Sequence, residues 1–190
     1  MIDQAISQFN VSARELAKNE FPIAKTPDEW KQIAADRRSR DHGKLVGPAV
    51  QFLNAFEALD LPMDRESVAA RLNSEALHIL RLFGHAAAIL AVRRQEPALI
   101  RKGLLSLAVL GAVDDGRDLT FGLAELYHAA RKVDVDTPAV FADVSCMADS
   151  QYLKAAIRSF PLREPKDRKL SAFGLRESNE GAEFDIVACF

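Results

Sequence analysis

Cysteine is scarce in this chain. Cys146 and Cys189 are the only two in 190 residues, and they form no CxxC pair. That argues against a disulfide framework and a thiolate zinc cluster, and for a reducing compartment. Both read as buried small hydrophobes rather than activated nucleophiles. The nine glycines never gather into a loop between a strand and a helix, so neither dinucleotide nor Walker-type phosphate binding is indicated. No charge of one sign dominates: the net charge is −2, too small a field to recruit nucleic acid or an anionic membrane. Apolar runs such as LLSLAVLGAV (104–113) fall short of the ~20 residues that cross a bilayer, so no membrane is expected. MIDQAISQFNVSARELAK mixes acids and polar groups with no basic region ahead of an apolar one, which is not a signal peptide. The expected location is the cytoplasm.

What is present is helical periodicity. With 48% hydrophobic residues the chain can build one proper core. Ile2, Ala5, Ile6, Phe9, Ala13, Leu16 and Ala17 mark one face of a first helix, which Phe21-Pro22 ends. Thr26-Pro27-Asp28-Glu29 starts a second, carrying Trp30, Ile33 and Ala34, with a capping hydroxyl, proline at the first position and two acids facing the dipole. A third is predicted from Pro48 to about Leu59 with Val50, Leu53, Phe56 and Leu59 as its buried line. A fourth is capped by Asp64, and a break near Asn73-Ser74 precedes a long helix over 75–94. Others follow at 97–113, 118–132, 138–148 and 150–159, joined by short polar turns that favour antiparallel neighbours. The fold class is all-α: an irregular bundle or short superhelix over 1–160. Residues 161–190, with Asn179-Glu180-Gly181 between two apolar stretches, read as a small extended or hairpin appendage packed on it.

Three helices open on nearly the same phrase, PAVQF at 48, PALIR at 97 and PAVFA at 138. The intervals, 49 and 41 residues, lie near the ~40–47 of HEAT and armadillo units. The stretch EPALIRKGLLSLAVLGAVDDGRDLTFGLAELYHAARKV resembles one HEAT-like helical pair, and the likeness covers about residues 45–160. The resemblance implies stacked pairs with a concave face that serves as a scaffold or recognition surface.

Two Glu-x-x-His units stand out, Glu75/His78 and Glu125/His128. Carboxylate-bridged di-metal bundles use two such units plus a lone Glu from each of two further helices. Glu57, or one of Asp114, Asp115 and Asp118, would supply an extra carboxylate, and iron, manganese or zinc would be the metal. Against this, Glu57 lies only 18 residues ahead of the first unit, and Glu96 sits at a helix entrance. The same residues also read as a contact face. Glu75, His78, Arg81 and His85 share one side of the long helix, while Glu125, His128 and Lys132 share one side of another. As the wet side of two amphipathic helices they need no further role; facing each other across a groove, they bind a polar partner.

Charge is blocky. Residues 114–149 hold eight acids against three bases, 158–176 hold six bases against two acids, and the tail from 177 is acidic again. Such blocks pair within a molecule or dock a partner. A nucleic-acid surface on the 158–176 bases ranks third, because aromatic interleaving is sparse; His42, among Arg37, Arg38, Arg40 and Lys44, reads as a solvated connector. The expected function is non-catalytic binding of another protein without a cofactor, self-association included, with a metal-binding helical enzyme as the alternative.

Overall fold

A computed structural model describes residues 1–36, 40–59, 62–113, 120–147 and 154–155. Among them the chain is all-α. The helices are α1 (Ile2–Asn19), α2 (Pro27–Asp36), α3 (Val46–Glu57), α4 (Pro62–Ala69), α5 (Ser74–Arg94), α6 (Ala98–Gly111), α7 (Thr120–Lys132) and α8 (Thr137–Met147), with a 3-10 turn over His42–Leu45. The appendage expected over 161–190 lies outside the described residues, as does all but 154–155 of the helix expected over 150–159.

The starts follow from capping chemistry. At α2, Thr26 Oγ1 accepts the Glu29 N–H at 3.2 Å, and Glu29 Oε2 accepts the Lys25 N–H at 2.7 Å. This reciprocal pair satisfies the Glu29 N–H, which the first turn leaves without a carbonyl, and ties down the Lys25 N–H just ahead of the cap. α3 begins at Val46, two residues before the expected Pro48. Asp41 accepts the Gly43 N–H at 2.9 Å and starts the 3-10 turn, which runs straight into the helix. α4 begins at Pro62 rather than after Asp64, since proline already fits the first helical position. At α8 the cap is Asp136, which accepts the Ala139 N–H, while the Thr137 hydroxyl donates back to the Val135 carbonyl.

Two helices end on a left-handed residue that is not glycine. Gln95 (φ 54°) closes α5, with the Glu96 N–H donating to the Ala91 carbonyl, and its own side-chain amide donates to the Val92 carbonyl at 2.7 Å. Asp134 (φ 54°) does the same after α7, where the Val135 N–H reaches Ala130. Both turns satisfy terminal carbonyls and send the chain straight into a partner helix.

α1 packs on α3 and α5, α5 on α6 and α7, and α6 on α3, α7 and α8, with a lighter contact between α7 and α8. Two layers result, α1–α5–α7 and α3–α6–α8, with α4 laid against α6. The three helices that begin at the PAVQF, PALIR and PAVFA phrases form one of these layers. α5 and α6 are antiparallel: the buried Ser106 hydroxyl donates to the Leu80 carbonyl at 2.6 Å, and a Cβ on Gly103 would lie 2.8 Å from that of Ala87. α7 reverses α6 in turn, with Gly122 beside Leu107 and Leu126 beside Gly103, so α5 and α7 run parallel.

α5 is long and apolar enough to cross a membrane by length and composition, which run length alone had not indicated because Glu75 and Arg81 interrupt it. Its apolar faces pack on the surrounding helices: Ile79, Leu80, Phe83, Ala86, Ala87 and Ala91 are all buried. On α1 the buried residues are Ile6, Phe9, Ala13 and Ala17. On α3 they are Ala49, Phe52, Leu53 and Phe56, with Val50 and Leu59 only partly covered. The buried face is turned toward Phe52 because Phe9 stacks on that ring, centroids 4.8 Å apart and 11° from parallel.

An asparagine clip fastens α1 to the start of α5. Asn10 Oδ1 accepts the Asn73 N–H at 3.0 Å, and Asn10 Nδ2 donates to the Arg71 carbonyl. Asn73 donates its amide to the Asn10 carbonyl and caps α5 by accepting the Ala76 N–H at 2.7 Å. What reads in sequence as a helix break is a joint in which one side chain satisfies both helices.

Candidate functional site

α5 packs against α1, α6 and α7, and its partly exposed edge carries His78, Arg81, His85, Ile89 and Val92. These recur at helical spacing and form one strip along the outer side of the α1–α5–α7 layer. α7 adds Glu125 and His128, both partly exposed, and Lys132, which is exposed.

The two polar sides meet at one point. His85 Nδ1 lies 3.2 Å from Glu125 Oε2, with the side chains only 14% and 12% exposed. An ionised carboxylate only accepts, so Nδ1 carries the proton and donates. Gly122 lies beside the pair: a Cβ there would be in ordinary contact with the His85 ring at 3.4 Å and tighter against Leu107 at 3.2 Å.

The other histidines continue the same strip. His78 Nε2 lies 3.1 Å from the Phe21 carbonyl, which requires the Nε2–H tautomer and straps the end of α1 to α5. The Phe21 ring packs on His42, centroids 5.6 Å apart. All four histidines of the chain therefore lie along one connected path: His42, Phe21, His78, then His85 two turns on, Glu125 and His128.

The remaining expected site residues are placed differently. Glu75 sits in the first turn of α5, where its own backbone N–H and the Ser74 hydroxyl hold its carboxyl below the ordinary glutamate range. The two Glu-x-x-His units do not converge. With α5 and α7 parallel and His85 level with Glu125, His78 lies seven residues behind that level and His128 three beyond it. Ten residues of rise separate them by about 15 Å. Among the described residues, no three His, Cys, Asp or Glu side chains gather as a metal site, and Asp114, Asp115 and Asp118 lie outside those residues.

Glu57 belongs to another cluster. Its carboxylate takes the Arg101 and Lys102 side chains, each at 2.5 Å, and Arg101 also bridges to Asp143. This group ties α3, α6 and α8 together, the three helices of one layer. Sequence reasoning missed it because the partners are 42 to 45 positions apart. A signal was present: two adjacent bases in a helix otherwise as apolar as α6 need acids from elsewhere. Burial pushes the Glu57 carboxyl up, but hydrogen bonds from Lys102 and Arg101 more than reverse this and leave it below the ordinary glutamate value. For Arg101, burial lowers the pKa, and the bonds from Asp143 and Glu57 raise it above the ordinary value.

A folded pKa below the unfolded one means stability that is present above the unfolded pKa and lost as pH falls through the folded one. Glu57→Gln should therefore lower stability by about 1.5–3 kcal/mol at pH 7, the range for hydrogen bonds to charged groups. It should lose less than the unmodified chain on acidification below about pH 4. Urea unfolding at pH 7 and pH 3 measures both; equal acid sensitivity of the two proteins would remove Glu57 from the acid response.

The chain matches no protein-family model, no curated protein and no solved structure.

Proposed function

We propose that this protein is a short helical-repeat scaffold, cytoplasmic and without chemistry of its own, that binds another protein through the outer side of its α1–α5–α7 layer. The observation that carries the proposal is the ionisable strip on that side. An enclosed apolar helix keeps one partly exposed edge, and that edge holds His78, Arg81 and His85, continued across α7 by Glu125, His128 and Lys132. The two-layered packing supports the same reading, because repeat architectures present one layer as an extended recognition surface.

Within the strip the roles divide. Glu75 serves its own helix end, and His78 and His85–Glu125 fix the strip's shape. Arg81, His128 and Lys132 are the recognition residues. An acidic partner surface is the matching chemistry, and a second copy of the chain is one such partner.

Charge reversal tests the proposal. Full-length chain carrying Arg81→Glu and Lys132→Glu should lose at least tenfold in affinity for its captured partner, as expected when complementary charge becomes like charge. Asn54→Glu, on the exposed side of α3 in the other layer, should retain it. Capture followed by mass spectrometry identifies the partner, titration gives the affinities, and sedimentation of the same variants reads self-association. Undiminished binding by the double variant, with its helicity intact, would sink the proposal.

A further inference from the structure

We infer that the exposed side of α1 and α3, at the end of both layers, is a self-association surface that takes a second copy of this chain about a two-fold axis. It stands on different helices from the α5–α7 strip and does not rest on the reading of that strip.

The first observation is a lack of charge on a surface. Residues 4–13 (QAISQFNVSA) and 45–56 (LVGPAVQFLNAF) contain no Asp, Glu, Lys or Arg, in a chain that is 27% charged. The other long runs of this kind, 82–92 and 103–113, lie in α5 and α6 and are mostly buried, so burial accounts for them. Burial does not account for the α1 and α3 runs. Ser7, Gln8 and Val11 on α1 and Gly47, Gln51 and Asn54 on α3 are all exposed. At 100° per residue the first three fall within about 100° of one another and the second three within about 60°. The Gln51 amide donates to Gln8 Oε1 at 3.5 Å, which joins the two faces into one surface. Val11 is 55% exposed, more than any other large apolar side chain described within a helix.

The second observation is the border of this surface. Asp3 and Arg14 close the α1 run, and Lys44 and Glu57 close the α3 run. An uncharged centre inside a charged rim is the composition of an interface core, whereas a solvated face mixes charges of both signs.

The chemistry selects a second copy as the occupant. In a two-fold contact each surface meets itself, so any net charge on it is repelled by its own image. Side-chain amides avoid this, because each one both donates and accepts. Gln8, Gln51 and Asn54 are therefore complementary to their own kind, Ser7 and Gly47 allow close approach, and Val11 gains apolar cover. Size sets the strength. Two helices side by side are about 20 Å across, and the exposed residues extend about 10 Å along them. This is well under the ~800 Å² that each partner contributes to a stable complex, so the dimer is weak and forms as concentration rises.

Sedimentation equilibrium of the full chain, from micromolar to millimolar concentration, tests the inference. The unmodified chain should move toward twice its monomer mass. Val11→Glu and Asn54→Glu, both at exposed positions, should each weaken association at least tenfold with helicity unchanged, because like charges then face each other. A mixture gives the sharper result. One chain carries Val11→Glu with Asn54→Glu, and the other carries Val11→Lys with Asn54→Lys. Each should stay monomeric alone and the two should associate when mixed, which damage to the fold cannot reproduce. A monomer at every concentration, association that ignores Val11 and Asn54, or a mixture that stays monomeric would overturn the inference.

The strip variants separate this surface from the proposed function. Arg81→Glu with Lys132→Glu should leave self-association intact. Self-association lost in that double variant and kept in Asn54→Glu would put the second copy on the strip and overturn the inference alone. Partner capture that ignores Arg81 and Lys132 would sink the proposed function and leave the dimer standing.

Discussion

Phe52→Ala should lower the stability of the full chain by about 4 kcal/mol, within the range for deleting a buried phenylalanine ring. The expected drop in melting temperature is about 8–16 °C for a chain of this length. Phe52 is 1% exposed. Its ring stacks on Phe9 of α1 at 4.8 Å and leans on Phe56, centroids 6.2 Å apart, one turn along α3. The loss has two parts: the ring's own transfer from water and the cavity its neighbours cannot fill, because Phe9 is held by the rest of α1. The stacked pair adds about 1 kcal/mol beyond area. Phe9→Ala and Phe52→Ala combined should therefore lose less than the sum of the two single changes. Thermal melts followed by circular dichroism measure all three proteins. A loss under about 1.5 kcal/mol for Phe52→Ala would mean that α1 does not dock on α3 in solution.

Gly103→Val should cost about 3 kcal/mol, at the upper end of the usual range for overpacking a filled core. A Cβ at 103 would stand 2.8 Å from the Ala87 Cβ and 2.7 Å from a Leu126 methyl. The leucine can turn away. Ala87 cannot, since its Cβ is fixed to the α5 backbone. Replacing glycine inside a helix ordinarily gains up to about 1 kcal/mol of propensity, so even Gly103→Ala measures packing against propensity and should come out destabilising. Gly84 is the internal control. Its nearest neighbour is a terminal methyl of Leu107 at 2.8 Å, a movable group, and Gly84→Ala should lose less. Urea midpoints rank the three. Gly103→Ala as stable as the unmodified chain would show that α5, α6 and α7 sit further apart than described here.

Most of the all-α architecture can be read from residue order alone. The apolar face of α1 was expected to include Ile6, Phe9, Ala13 and Ala17, which are its buried residues, while Ile2, Ala5 and Leu16 border the core. The start at Thr26 and Glu29 is legible because both halves of that cap lie within four residues. Local chemistry of this kind is complete in the sequence. Contacts between distant residues are not. Nothing about Val50 or Phe52 says which of them faces Phe9, and the expected buried line on α3 was accordingly rotated. The same limit explains the site. Spacing placed Glu125 and His128 on one side of a helix and His78 and His85 on one side of another, but only the parallel run of α5 and α7 decides that His85 meets Glu125. It also decides that His78 and His128 stay apart. Glu57 illustrates the point most sharply, since a carboxylate considered for a metal turns out to answer Arg101 and Lys102.

The asparagine clip also sets an order in time. Asn10 and Asn73 are 63 residues apart. At about 5–20 residues per second, a ribosome delivers the second of them about 3–13 seconds after the first. Phe52 trails Phe9 by only 43 positions and arrives sooner. A nascent chain can thus close α1 onto α3 before α5 has emerged from the ribosome, leaving uncovered the part of α1 that α5 will cover. The N-terminal pair would then wait for its cover during synthesis, and a pause in translation while α5 is still inside the ribosome would lengthen the interval in which a chaperone, or a neighbouring nascent chain, can reach that apolar side first.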